Sequence, residues 1–428
     1  MLIRFEVSNH RSIKEPVELS MVAVDVDRAE ARAEAHLGVS LLPVAAIYGP
    51  NASGKSNLLD ALAWLRNAVT FSLRAWERSI SVEPFAFGGT SENPTSFNLE
   101  MSIDGIRFDY LLDLDHKRVL YEGLFHYPEK KRRRIFERDK EGLRIQRGLG
   151  ALSGVRKLIN DRTLVLSAAR KFEVPLVSDF SDEVESIQTI GTAIYTGGAS
   201  RIPRVKGFDL VSRSTIDWFD GSSDGGPHDL SHVEATADPK QNQALALLRL
   251  ADFGIAGVTI EEKEFNFTGE TRTERLAVLL HDSSTGPTPL DFLDESDGTK
   301  TWFKLVGPVL QALNDGTLVL LDELDASLHP VLSTELIRLF HSPVTNPKGA
   351  QLVFTSHDTS LLNHLNRDEI WLTEKRPDGS TRLGSLAKFA GERVRKSQNL
   401  ENAYLHGRFG ALPQINQYEL LRALNLVG

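Results

Sequence analysis

Two periodicities divide the chain. From about Phe85 to Gln146, apolar residues fall at every second position: Phe97, Leu99, Met101 and Ile103 alternate with polar neighbours, as do Ile106, Phe108, Tyr110, Leu112 and Leu114. A period of two marks strands with one buried face, and Asp104-Gly105 between the runs is a tight-turn signal. This stretch therefore predicts an antiparallel β meander. The opening Met1-Leu-Ile-Arg-Phe-Glu-Val alternates in the same way and reads as a first strand, not a secretory leader. Elsewhere the apolar runs are short and unbroken: Pro43 to Tyr48, Thr317 to Leu321, Gln351 to Thr355 and Glu369 to Thr373. Such runs predict strands of a parallel sheet covered on both faces. Helical spacing falls between them. Leu58, Leu62, Leu65 and Val69 share one face over Asn57 to Val69, Pro330 opens a helix to Phe340, and another follows Thr355 through Leu365. Gln241 to Phe253 reads as a helix with Gly254 as its C-terminal cap.

The expected fold is α/β: a mostly parallel sheet, an antiparallel meander arm and a helical insertion. Residues 1–175 form the first lobe, 176–255 the insertion, where Gly221 to Gly226 is a Gly/Ser/Asp loop, and 256–428 the second lobe. No apolar run approaches the roughly 18 residues of a membrane span, and there are no cysteines. These readings exclude a disulfide framework, thiolate metal sites and a Cys nucleophile, and predict a cytoplasmic protein. The net charge of −9 gives no general attraction for nucleic acid, so any such contact must come from a local basic patch.

Gly49-Pro50-Asn51-Ala52-Ser53-Gly54-Lys55-Ser56 has the spacing G-x-x-x-x-G-K-[ST], with an apolar strand before it and, from Asn57, an amphipathic helix after it. Glycines let the backbone turn its N–H groups toward phosphate, and the helix adds its positive end. Lys55 is positioned for the outer phosphates and the Ser56 hydroxyl for Mg2+. The strand Thr317 to Leu321 ends in Asp322-Glu323, which predicts Asp322 beside the metal and Glu323 as the group that orients or deprotonates water. His357, at the end of the strand Gln351 to Ser356, is placed to sense a γ-phosphate. Ser296-Asp-Gly298-Thr299 at a helix start offers a hydroxyl and N–H groups to an anion, or simply caps that helix.

The order of these motifs resembles the ABC-type ATPase heads of the SMC, RecF and OLD-like group. Met1-Leu-Ile-Arg-Phe-Glu-Val-Ser-Asn-His-Arg-Ser is similar to their opening, Ser296 to Thr299 to a shortened signature motif, and Leu324-Asp-Ala-Ser-Leu-His-Pro330 to their D-loop. The tail Tyr404-Leu-His-Gly-Arg-Phe-Gly-Ala-Leu-Pro413 resembles AAA-15/AAA-21 type ATPases of the RloA and AbiL kind, found in abortive-infection loci. The resemblance implies ATP and Mg2+ as cofactors and a head-to-tail homodimer, or a higher assembly, with ATP held between the phosphate loop of one subunit and Ser296 and Gly298 of the other. It also implies anti-phage control of a separately encoded effector such as a RloB-like protein, since the stretch after His357 is too short for a Toprim nuclease. Two residues depart from the pattern: Glu295 stands for a leucine and Thr299 for a glutamine. The Q-loop residue has only Gln146 and Gln188 as candidates. A DNA-repair ATPase of the RecF kind and a slow nucleotide-gated scaffold holding a toxin silent are alternative readings. Lys130 to Arg134 reads as a solvated hairpin tip or a phosphate-contacting patch, Asp113 and Asp115 as outward strand charges, and Arg408 as an anchor or a nucleotide contact.

Overall fold

The computed structural model describes residues 1–89, 92–146, 149–172, 174–191, 213–219, 238–267, 270–326, 328–390, 399–411 and 422. The alternating segments form a seven-stranded sheet in the order β10-β9-β8-β7-β6-β1-β2. Its strands are β1 (Leu2–Ser8), β2 (Val17–Ser20), β6 (Thr95–Ile103), β7 (Ile106–Leu114), β8 (Val119–His126), β9 (Arg133–Asp139) and β10 (Gly142–Ile145). The meander is present as expected, and its first strand pairs with β1, Phe5 opposite Leu99. It is thus one layer of the head, continuous with the chain's opening strand. A small hairpin, β3 (Arg32–Glu34) with β4 (Val39–Leu41), precedes the second sheet.

That second sheet has the order β11-β15-β16-β5-β17-β18 and is parallel except for its last pair. It contains β5 (Val44–Tyr48), β11 (Gln188–Ile190), β15 (Leu318–Leu321), β16 (Gln351–Thr355), β17 (Ile370–Lys375) and β18 (Thr381–Ser385). Strands β5, β15 and β16 are buried along their whole length because each face meets a separate core. Ala45, Ile47, Leu320 and Val353 face the core shared with α1 (Lys55–Ala75), α2 (Val165–Ala169), α3 (Pro175–Glu185) and the antiparallel sheet. Val44, Ala46, Leu321 and Phe354 face the opposite core. That core includes α4 (Arg213–Phe219), α5 (Pro239–Ala251), α6 (Asp297–Asp315), α7 (Pro330–His341) and α9 (Leu400–Leu405), while α8 (Leu386–Ala390) follows β18. A long hairpin, β12 (Ile255–Phe267) with β13 (Glu270–His281), takes a short third strand, β14 (Thr288–Asp291).

Helix α1 lies between the two sheets and is buried on most of its circumference. It therefore runs past the expected Val69: Trp64 stacks on Phe97 at 4.8 Å and on Trp76 at 5.7 Å, carrying the burial another turn. Three expectations change. Helix α5 ends at Ala251 with Asp252 as its C-cap. Gly254 instead donates its N–H to the Asp252 side chain, so it is not the left-handed cap. The segment after β16 is a 3-10 turn, Thr359–His364, capped by the Asp358 side chain, not an α-helix. Within 176–255, Gln188–Ile190 is an edge strand of the parallel sheet against β15, so that span is not purely helical. The Gly221 to Gly226 loop, Ser327 and Pro413 lie outside the described residues. Among the described residues, no helix is long and apolar enough to cross a membrane.

Candidate functional site

Strand β5 delivers the chain at the C-terminal edge of the parallel sheet, and Gly49 to Ser56 turn back into α1. The turn needs left-handed backbone at Gly49 (φ 151°), Ala52 (61°) and Gly54 (101°). A Cβ at Gly49 would run into the Thr373 side chain and carbonyl, and one at Gly54 into the Thr381 and Ser12 hydroxyls. Glycine is required at both places by close approach as well as by φ. Helix α1 has Gly54 as its N-cap and no side-chain cap. Among the described residues, none accepts a hydrogen bond from the N–H groups of Asn51, Ala52, Gly54, Lys55 or Ser56. Five such donors at the positive end of a 21-residue helix are suited to an anion.

Lys55 Nζ folds onto the Gly49 carbonyl at 2.9 Å and the Pro50 carbonyl at 3.4 Å. Burial lowers its pKa, opposed by the charges of Asp322, Asp325 and Glu323. Ser56 Oγ donates to Asp322 Oδ1 at 2.9 Å, so the two residues expected at the metal stand together although 266 positions apart. A hydroxyl and a carboxylate are hard oxygen donors, suited to a Mg2+ that keeps several waters and phosphate oxygens. Glu323 follows at φ 58°, exposed, in a conformation uncommon for any residue but glycine. His357 is exposed at the same edge, its backbone N–H donating to Asp325 Oδ1 at 3.0 Å.

Ser296 and Gly298 are not brought to this edge by any hydrogen bond. Ser296 is the N-cap of α6, its hydroxyl accepting from Thr299 N–H at 3.1 Å, and it is exposed. Just before it, Glu295 is buried and pairs with His281 Nε2 at 2.6 Å, which anchors the turn to β13. The departure at Glu295 from the leucine of similar heads is thus a buried carboxylate–imidazole hydrogen bond. Gln188 donates to the Ser186 carbonyl three residues below the sheet edge, and Gln146 closes the β9–β10 hairpin through its N–H. Neither lies at the phosphate loop.

Several residues at the site carry no sequence signal of their own. Thr355 ends β16 and bonds both Asp322 and Glu323. Thr373 joins Ser53 Oγ at 2.6 Å, and Thr381 Oγ1 donates to the Ser53 carbonyl at 2.9 Å. Ser12 bonds Thr381 Oγ1 at 2.7 Å and accepts from Asn57 Nδ2 at 2.6 Å. The opening motif Asn9 to Ser12 therefore braces the phosphate loop from behind, and His10 and Arg11 both hold the buried Asp60 of α1. The tail does similar work: Tyr404 lies edge-on to Tyr48, and the Ala411 N–H donates to Glu374. Arg408 is exposed, its N–H bonded to the Ala403 carbonyl. Lys130 to Arg134 are exposed at the β8–β9 connection.

The family described as "AAA domain, putative AbiEii toxin, Type IV TA system" matches residues 44–363, a span from β5 to the turn after β16. Among solved structures, the chain is similar to the SMC head domain from Thermotoga maritima and to an SmcHead bound to the C-winged helix domain of ScpA. Each is 12% identical at a TM-score of 0.39, with 90% of this chain and 98% of the other covered. No curated protein matches it.

Proposed function

The chain belongs to this AAA-domain family, and from that premise we propose that it is an ATP-hydrolysing head that closes on a second copy of itself and controls an anti-phage effector. The observation that carries the ATPase reading is the set of five loop N–H groups without an acceptor among the described residues, beside Lys55 and the Ser56–Asp322 pair. A nucleoside triphosphate matches the cradle: its phosphates accept from the N–H groups of Asn51, Ala52, Gly54, Lys55 and Ser56 and from the Lys55 ammonium, which leaves its own loop carbonyls to reach them. Ser56 and Asp322 hold Mg2+, which when bound supplies charge neutralisation at the phosphate oxygens. Glu323, exposed at the strand end, orients the attacking water and takes its proton. His357 faces the γ-phosphate from the next strand.

Closure on a second copy is supported by the SDG turn. Ser296 is exposed and Gly298 partly so, and among the described residues the Ser296 hydroxyl is hydrogen-bonded only within that turn, so it is available to a nucleotide held by another molecule. The link to defence rests on the toxin–antitoxin description of the family and on the tail similar to that of abortive-infection ATPases. The experiment is sizing by light scattering with and without ATP and Mg2+, on wild type and Glu323→Gln, with phosphate release on the same samples. Turnover in wild type, and ATP-bound dimers without turnover in Glu323→Gln, is the expected pair. Absence of turnover in wild type together with no assembly change in either protein refutes the reading.

A further inference from the structure

We propose that Thr355 is a positioning residue for both carboxylates of the site, a role that rests on the ATPase reading above. Thr355 is fully buried at the end of β16, the strand between β15, which delivers Asp322, and β5, which delivers the phosphate loop. Its hydroxyl donates to Asp322 Oδ1 at 2.7 Å and accepts the N–H of Glu323 at 2.7 Å. Its carbonyl accepts the N–H of Leu324 at 2.9 Å. One residue therefore grips the backbone on both sides of Glu323 and the side chain before it.

The two grips do different things. Asp322 Oδ1 already accepts from Ser56 Oγ, so with Thr355 it has two hydroxyl donors. Among the described residues, none bonds Oδ2, which leaves that oxygen available to a ligand. Two donors on one oxygen fix the carboxylate's rotation, which is what a ligand to hydrated Mg2+ needs. At Glu323 the grip is on conformation. A left-handed glutamate is disfavoured, and the bonds from the Glu323 and Leu324 N–H groups to Thr355 hold it there. Release would let φ return to negative values and swing the carboxylate away from the nucleotide edge. The hydroxyl, not the size of the side chain, does this work, because it is donor and acceptor at once.

The test compares Thr355→Val, which keeps shape and burial but loses the hydroxyl, with Thr355→Ser, which keeps the hydroxyl. Steady-state ATP hydrolysis is the first readout, with thermal melting to show that each variant is folded. Thr355→Val is expected to lose about 10- to 100-fold in kcat with KM for ATP changed less than about threefold, since the phosphate cradle is untouched. Thr355→Ser is expected to retain most of the wild-type kcat. The second readout is Mn2+ affinity of the ATP complex by electron paramagnetic resonance, weakened in Thr355→Val and kept in Thr355→Ser, and it applies whether or not turnover is fast. Equal kcat and equal Mn2+ affinity in wild type and Thr355→Val overturn the positioning role while leaving the ATPase reading intact. A folded wild type that neither binds nor hydrolyses ATP overturns both. If Thr355→Val melts before assay, Thr355→Ala and Thr355→Ser decide in its place: equal loss in both assigns the effect to packing and overturns the role.

Discussion

The phosphate loop and the SDG turn are both helix N-termini, yet they are held in opposite ways. At the loop, α1 has no side-chain cap and, among the described residues, five N–H groups have no acceptor, while Ser12, Thr373 and Thr381 brace it from distant parts of the chain. At the turn, Ser296 caps α6 itself and the brace is one buried contact, Glu295 with His281. A helix end that caps itself is stable alone. One left uncapped and rigidly supported is prepared for an external anion. On the proposed reading, intrinsic nucleotide affinity resides in the loop, and the turn contributes only when a second molecule is present.

The largest effect should come from the loop. Lys55→Ala removes the ammonium from the cradle, and turnover should fall on the order of 10³-fold, with ATP affinity falling as well, read by phosphate release and calorimetry. Gly54→Ala should come next. Its Cβ meets Thr381 and Ser12 at a left-handed φ, and nucleotide affinity should drop at least about tenfold while the fold, by circular dichroism, remains. The turn should behave differently. Gly298→Asp places a carboxylate where a phosphate would dock, so turnover should fall about 10- to 100-fold with affinity in dilute protein unchanged. Equal loss of dilute-protein affinity would erase the distinction between the halves. Glu295→Gln weakens the turn's brace and should cost about 1–3 kcal/mol in thermal or denaturant unfolding, without touching affinity.

The smallest effect is a pH dependence. Burial lowers the Lys55 pKa from its ordinary 10.5, so the folded protein gives up that proton earlier than the unfolded chain. The burial cost is present at neutral pH and relieved as pH rises through the lowered value, whereas phosphate binding needs the proton. ATP affinity should therefore weaken on the alkaline side before pH 10.5, by less than about threefold between pH 8 and 9. Calorimetry in buffers of different ionisation enthalpy would show proton uptake in wild type and none in Lys55→Arg.

What the sequence made legible was local. The loop, its flanking strand and helix, the acidic pair and the meander follow from spacing and periodicity over a few residues. The supports were not legible, because they join positions hundreds of residues apart: Ser12 with Thr381, Ser53 with Thr373, Ser56 with Asp322. A threonine ending a strand, such as Thr355, looks like any other until the neighbouring strand's register is known. Gly254 is a related case. A glycine past a helical run suggests a cap, but Asp252 had already ended α5 and used its side chain on the Gly254 N–H. The strand Gln188–Ile190 is only three residues long and becomes visible through its pairing with β15.

Each helix that carries one half of the site also carries an indole. Trp64 on α1 is stacked against Phe97 and Trp76 and bonds the Ser81 carbonyl, whereas Trp302 on α6 is fully enclosed and bonds the Leu247 carbonyl. Trp64 is stacked on a second indole as well as a phenyl ring, and that stacking gives it its own quenching. With the remaining tryptophans replaced by phenylalanine, each half reports by its own light, and the sequence in which loop and turn respond to nucleotide can be timed without an attached dye.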